Sequence, residues 1–164
     1  IGTPAERVFP LVEDFTQWVK WSPWEHLDPN MKRLFGNPFR GMGATYSWSG
    51  NDQVGEGRMK MRTARLPNGI FIDLSFVRPW QAENQVEFQF APIPAGTRVT
   101  WSMQGPQPFL ARVMSLFFSP EKLVGPDFEK GLLNLKRAAE AETGTGKPAE
   151  APKGGAVATS LPIS

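Results

Sequence analysis

The chain has 164 residues, of which 40% are hydrophobic and 21% are charged, the balance of a single globular domain. It contains no cysteine and one histidine, which excludes disulfides, thiolate catalysis, cysteine–metal sites and histidine-based metal centres. The net charge of +2 comes from 18 basic and 16 acidic residues that are interspersed, so no clustered basic face indicates binding to nucleic acid.

The N-terminal region predicts two short helices. Thr3 and Glu6 have the spacing of a capping box at a helix start. Pro10 interrupts the apolar spacing that follows, so this helix is expected to be short or kinked. In the segment Trp18–Trp24, three tryptophans recur every third residue and would share one face of a second short helix. Pro23 is expected to end that helix.

From about residue 31 the pattern changes to the alternation typical of β-strands. Residues 31–36 are the first candidate, and the later strands are predicted at Ala44–Ser49, Val54–Leu66, Ile70–Phe76, Val86–Phe90 and Val99–Met103. Short turns separate them, which predicts an antiparallel meander. Apolar side chains share one face, and polar ones, including the row Arg58, Lys60 and Arg62, share the other.

The apolar face of this sheet needs a cover, and the C-terminal region supplies one. Residues 109–118 are mostly apolar, and Ser119 and Pro120 begin a helix predicted to reach Glu142. Its apolar stripe consists of Phe128, Leu132, Leu135 and Ala139. Residues 143–164 carry few large apolar groups and cannot offset their ordering entropy, so they are predicted to form a disordered tail rich in Gly, Pro and Ala.

This order of elements resembles the helix-grip fold of the START/Bet v 1-like superfamily. Local stretches are similar to its bacterial polyketide cyclase/dehydrase-like branch, often called SRPBCC proteins: Pro4–Phe9, Trp18–Trp24, Gly50–Asn51, Gly55–Met59, Thr97–Trp101, Gly125–Leu132 and Leu135–Lys136. The resemblance implies an α+β domain over residues 1–142, in which a curved antiparallel sheet wraps around a long C-terminal helix. The family opens with a strand of which only Ile1–Gly2 could remain, so we expect a missing first strand and a longer parent protein.

The resemblance also implies an apolar cavity between sheet and helix. Alternation alone does not predict a hollow, and ordinary core packing is the alternative for each residue. Aromatic and methionine side chains suit such a cavity because ligand pockets are mostly apolar and methionine adapts its shape. The predicted lining is Trp18, Trp21, Tyr46, Trp48, Met59, Met61, Ile72, Leu74, Phe76, Phe88, Phe90, Trp101, Met103, Phe128 and Leu132.

Two polar residues are candidates for acid–base chemistry. His26 has acidic neighbours, Glu25 and Asp28, that could orient it as a base, or it is an exposed loop histidine. Tyr46 shares a face with Trp48, so its hydroxyl could point into the cavity and orient a carbonyl or a phenol. The sequence contains no serine-nucleophile motif and no calcium-binding loop, and we expect no metal and no cofactor.

Three functions remain open. The first is binding of a hydrophobic small molecule such as a lipid, a quinone or a polyketide-like compound. The second is a cyclase or dehydratase that folds a flexible substrate, and the third is a protein-interaction module of the co-chaperone type. A deep pocket favours the first two, and a pocket group with a perturbed pKa favours the enzyme. The absence of cysteine is compatible with the cytoplasm, membrane contact would need a missing N-terminal segment, and the oligomeric state stays open.

Overall fold

The computed structural model describes residues 1–105 and 126–141, and in these ranges six strands form one curved antiparallel sheet. The strands are β1 Lys32–Phe35, β2 Thr45–Ser49, β3 Glu56–Arg65, β4 Gly69–Arg78, β5 Ala82–Ile93 and β6 Gly96–Gln104. Each pairs with its neighbour in chain order, which confirms the predicted meander. The apolar segment 109–118, the helix start at Ser119 and the tail 143–164 lie outside the described residues.

Burial alternates along the strands and gives the sheet two different faces. On β3, Met59 and Met61 are buried, whereas Arg58, Lys60 and Arg62 are exposed. Register shifts at Glu56/Gly57 and at Met61/Thr63 interrupt the β3–β4 pairing, and such bulges bend a strand. The helices pack against the apolar, concave face of the bent sheet.

The first helix, α1, spans Ala5–Glu13, and the predicted cap at Thr3 is wrong. Pro4 occupies the cap position without a side-chain hydrogen bond, and Thr3 is buried. The reason is long-range pairing with the start of β6. The amino group of Ile1 donates to the Thr97 carbonyl at 3.0 Å, and the Thr97 N–H donates to the Ile1 carbonyl at 2.9 Å. These contacts draw Thr3 into the core instead of leaving it at the helix end.

Two 3₁₀ helices follow where one helix was predicted, at Phe15–Lys20 and Pro23–His26. The first helix ends at Lys20, before Pro23 as predicted, but Pro23 also opens a second helix that was not predicted. Proline fits the first helical position because its fixed φ is already helical and its missing N–H has no partner to lose there.

The C-terminal helix, α2, spans Pro126–Ala141 and packs against α1, the 3₁₀ helices and β6. Leu135 and Ala139 are fully buried, as the predicted stripe requires. Gly131 allows a close approach to the sheet and the second 3₁₀ helix, since a Cβ there would lie 2.9 Å from the Trp101 ring and 3.2 Å from Pro23. The sheet thus grips α2, and the helix-grip α+β fold is confirmed.

Candidate ligand-binding cavity

A cavity of about 90 Å³ lies between the concave face of the sheet, the 3₁₀ helices and α2. Its wall is apolar or aromatic except at Ser22, Glu25 and the hydroxyl of Tyr46. The lining residues are Trp18, Ser22, Trp24, Glu25, Met31, Tyr46, Trp48, Val54, Met59, Leu74, Phe76, Val86, Trp101, Met103 and Phe128. The volume is smaller than the roughly 300–1,000 Å³ of drug-sized sites, so a large occupant would have to displace lining side chains.

The predicted lining residues divide into two groups. The structure brings together on the cavity wall Trp18, Tyr46, Trp48, Met59, Leu74, Phe76, Trp101, Met103 and Phe128. It places in or against the packed core, away from that wall, Trp21, Met61, Ile72, Phe88, Phe90 and Leu132. Alternation with a period of two shows on which face of a strand a side chain lies. It does not show whether that part of the strand borders the cavity or the packed core. The cavity lies toward the end of the sheet where β4 ends and β5 begins. Toward the other end α1 packs against β5, where Phe9 contacts Phe90.

Other lining residues were absent from the predicted set, namely Ser22, Trp24, Glu25, Met31, Val54 and Val86. Val86 follows the same alternation as Phe88 and Phe90, so the sequence pattern could have identified it as a lining residue. Trp24 lies in the tryptophan segment, whose spacing already pointed to one face. Met31 and Val54 were included in the predicted strands, but they lie just before β1 and β3, where the alternation of the strand no longer determines which way a side chain faces.

Two indoles anchor the tryptophan segment to α1. Trp18 Nε1 donates to the Val12 carbonyl at 2.9 Å, and Trp21 Nε1 donates to the Leu11 carbonyl at 2.8 Å. These carbonyls belong to the last turn of the helix, where a carbonyl has no intrahelical donor. Trp21 directly follows the first 3₁₀ helix, and its ring lies against that of Trp18 with centroids 4.8 Å apart.

Trp101 joins the three elements that enclose the cavity. Its ring stacks on Phe88 of the sheet at 5.0 Å and meets Phe128 of α2 edge to face at 4.4 Å. It also contacts Trp21 at 5.6 Å and Trp24 at 5.5 Å. Such aromatic pairs stabilise beyond the area they bury. Loss of this ring would therefore loosen the sheet, the 3₁₀ helices and α2 together.

Trp48 covers the opposite side of the cavity and lies against its β3 partner, Gly57. A Cβ on Gly57 would lie 2.6 Å from the indole ring, so only glycine leaves room for it. The Trp48 Nε1 donates to the Val54 carbonyl at 2.9 Å, which fixes the ring and brings the β2–β3 turn against the cavity.

Glu25 and the hydroxyl of Tyr46 form the polar wall of the cavity, and Arg33, which does not line the cavity, binds Glu25 from behind this wall. The Tyr46 hydroxyl donates to Glu25 Oε1 at 2.7 Å, and Arg33 Nε donates to Glu25 Oε2 at 2.6 Å. Arg33 also donates through Nη2 to the Glu25 carbonyl at 2.6 Å. The Glu25 carboxylate is only 6% exposed, so burial costs it solvation that these donors replace. The hydrogen bond to Glu25 raises the pKa of Arg33, which stays cationic.

Burial raises the pKa of Tyr46 far above its usual range, and the negative charge of Glu25 raises it further. The phenol therefore stays protonated, with its proton donated to Glu25. A general base needs a pKa near the operating pH, and this shift moves the pKa of Tyr46 away from it.

His26 lies on the exposed surface and is not part of the cavity wall. Its Nε2 lies 2.8 Å from the Val19 carbonyl. The carboxylate of Asp28 accepts the backbone N–H groups of Asn30 and Asn51, both at 2.8 Å, and that of Glu25 is bound to Tyr46 and Arg33. The acidic neighbours that were expected to orient His26 thus have other partners.

Tyr46 is the only tyrosine, so an alkaline titration of phenolate absorbance reports this residue alone. We expect the native protein to show little phenolate at pH 10, where an ordinary tyrosine with a pKa of 10.0 is half ionised. Because the folded-state pKa is raised, the contribution of Tyr46 to stability is complete below the unfolded pKa and is lost as pH rises above it. The Tyr46→Phe variant should accordingly lose less stability above pH 10 than the parent chain.

The same protein unfolded in guanidinium chloride provides the control and should titrate near pH 10. Half-ionisation of the native protein at that same pH would show that Tyr46 is neither buried nor bound to Glu25.

Within residues 1–105 and 126–141, no three His, Asp or Glu side chains are grouped so that they could hold a metal ion. No helix in these ranges is both long enough and apolar enough to cross a membrane.

Comparisons with known proteins place the chain in a family. The family model for polyketide cyclase/dehydrase and lipid transport matches residues 1–140. A crystal structure of a protein from Chromobacterium violaceum has the same fold, with a TM-score of 0.59 at 14% identity over 85% of this chain and 92% of that chain. No curated protein matches the sequence. The family description supports hydrophobic-ligand binding as a broad class of function. The chain belongs to the polyketide cyclase/dehydrase and lipid transport family.

Proposed function

We propose that this protein binds a hydrophobic small molecule in the cavity and carries or senses it without transforming it. The observation that carries the proposal is the aromatic and methionine wall, whose charged group, Glu25, already has a tyrosine and an arginine as partners. Burial of apolar surface is then the main driving force, worth roughly 25 cal/mol per Å² before the costs of association.

The polar wall supports binding over catalysis. Catalysis by Tyr46 would need its proton or its phenolate, but the proton is donated to Glu25 and the pKa lies far above neutrality. The pKa is perturbed, yet in the direction that makes the group less reactive at neutral pH. Glu25 instead offers a ligand the unused lone pairs of a fixed carboxylate.

The shape of the cavity supports a compact ligand. A volume of about 90 Å³ between tryptophan rings leaves no room for a long acyl chain and admits a flat ring compound only when lining side chains move. Met31, Met59 and Met103 line it, and their unbranched side chains can rearrange around larger rings. Among lipids, quinones and polyketide-like compounds, we therefore favour the ring compounds.

Naphthalene is a suitable probe because it carries no polar group. We expect the full chain to bind it saturably at one site and to show quenching of tryptophan fluorescence, since four tryptophans line the cavity: Trp18, Trp24, Trp48 and Trp101. The variant Val86→Phe places extra volume on the cavity wall and should abolish binding. Its matched control, Val77→Phe, makes the same change on β4 at a side chain that is 46% exposed and should bind like the parent.

Native mass spectrometry of the chain purified from its own host then separates carriage from catalysis. A bound compound that is released unchanged after incubation supports the proposal, whereas its conversion would establish an enzyme. Absence of saturable naphthalene binding, or equal binding by Val86→Phe and the parent chain, would refute the cavity as a ligand site.

A further inference from the structure

The hydroxyl of Ser22 is a polar group at the wall of an otherwise apolar cavity. Ser22 is 3% exposed and is one of the lining residues. It directly precedes the second 3₁₀ helix, where a serine hydroxyl usually accepts a backbone N–H of the helix, but this hydroxyl makes no such hydrogen bond. It has no other partner among the residues that the structure describes. Buried polar groups are nearly always paired, so a free hydroxyl here needs an explanation.

The backbone of Ser22 is bonded on both sides, which fixes the residue at the cavity wall. Its N–H donates to the Trp18 carbonyl at 2.8 Å, and its carbonyl accepts the N–H of Glu25 at 3.3 Å. Trp18 and Glu25 also line the cavity, so Ser22 lies between two other lining residues. The hydroxyl is therefore the polar group of Ser22 that is left for an occupant of the cavity.

Glu25 supplies the complementary group on the same wall. Its Oε1 accepts the Tyr46 hydroxyl, and its Oε2 accepts Arg33 Nε. An ionised carboxylate accepts about four hydrogen bonds, so lone pairs remain on this one after both donors are bound. Ser22 can donate a proton to a ligand, whereas the Glu25 carboxylate can only accept one. The wall thus places a free donor beside an acceptor, three positions apart in the chain.

We propose that Ser22 is a specificity-determining residue that, together with Glu25, selects ring compounds carrying a hydroxyl group. A ligand hydroxyl accepts from Ser22 while it donates to Glu25, and an ether or a carbonyl, which only accepts, cannot fill both roles. The apolar ring of such a ligand stays against the tryptophans. This inference rests on the proposed function, since it requires a ligand in the cavity, and it narrows the ligand class from ring compounds to hydroxylated ones.

Three matched probes, naphthalene, 2-methoxynaphthalene and 2-naphthol, test the proposal in the full chain. We expect the parent to bind 2-naphthol at least about tenfold more tightly than naphthalene, the ratio that one hydrogen bond to a charged group gives. 2-Methoxynaphthalene accepts but cannot donate, so it should gain less. Ser22→Ala should lower the preference for 2-naphthol about fivefold and keep the affinity for naphthalene. The control Ser47→Ala makes the same change on β2, outside the cavity wall, and should keep all three affinities.

The outcomes separate this inference from the proposed function. If naphthalene binds and Ser22→Ala changes its affinity and that of 2-naphthol by the same factor, Ser22 does not select the hydroxyl and this inference fails alone. It also fails alone if the parent binds naphthalene and 2-naphthol equally. If no probe binds the parent, the proposed function fails as well. Should Ser22→Ala not fold, Ser22→Cys, whose thiol is a weak donor, provides the same comparison, and the ratio of its affinities decides.

Discussion

The Trp101→Ala variant is expected to unfold with a free energy about 3 kcal/mol lower than that of the parent, the low end of the usual cost of removing a large aromatic side chain, because Trp101 is partly buried against the core. The ring lies against Phe88 and Phe128, so its loss leaves a void where the sheet meets α2. Affinity for naphthalene should fall at least tenfold, because the variant loses both part of the cavity wall and the ring against which α2 packs. Guanidinium chloride unfolding followed by far-UV circular dichroism, with fluorescence titration, measures both effects.

Trp80→Ala is the matched control, since Trp80 is 42% exposed in the turn between β4 and β5. It should change stability by less than about 1 kcal/mol and leave naphthalene binding intact. Unchanged melting together with unchanged affinity in Trp101→Ala would place Trp101 outside both the core and the cavity.

The local sequence pattern was sufficient to predict the strands and to predict which side chains lie on their apolar faces. Alternation on β3 separated Met59 from Arg58 because a one-residue shift would have exposed every methionine and buried every cation. Short turns then allowed only neighbouring strands to pair. These features depend on residues close in sequence, which is why the sequence could predict them.

Other features of the structure depend on contacts between residues distant in sequence, and the local pattern could not predict them. Thr3 has a sound capping sequence, but pairing of Ile1 with Thr97, 96 positions away, buries it. Phe88 and Val86 look equivalent on β5, yet Trp21 packs on Phe88 at 6.0 Å, whereas Val86 lines the cavity. The position of the cavity therefore depends on where the helices end. This cannot be predicted from the sequence of any single strand.

The polar wall illustrates the same limit. Glu25 reads as one of several acids in a polar loop, and only folding brings it to Tyr46, 21 positions away. Glu25 is buried because it lies on the second 3₁₀ helix, whereas the sequence pattern predicts that it lies beyond the end of a helix. A single charged residue between Trp24 and His26 gives no sequence signal that it will line an apolar cavity.

The ion pair of Arg33 with Glu25 gives the other large expected effect. Arg33→Met removes the cation and leaves the Glu25 carboxylate buried with Tyr46 as its remaining side-chain donor. Breaking a buried pair in this way costs about 3–5 kcal/mol, and we expect about 3 kcal/mol at neutral pH because the Arg33 side chain is 27% exposed. Chemical unfolding of the variant measures this loss.

Arg62→Met breaks an ion pair of similar geometry in a different environment. Arg62 Nε lies 2.5 Å from Asp73 Oδ2, but the Arg62 side chain is 65% exposed, so water replaces the lost partner and the cost should stay below about 1 kcal/mol. The double variant Arg33→Met, Glu25→Leu tests the cause directly. If the uncompensated carboxylate destabilises Arg33→Met, removing Glu25 as well should restore much of the lost stability. Equal losses in Arg33→Met and Arg62→Met would show that Glu25 is solvated, and the polar wall would then be part of the protein surface and not of the cavity.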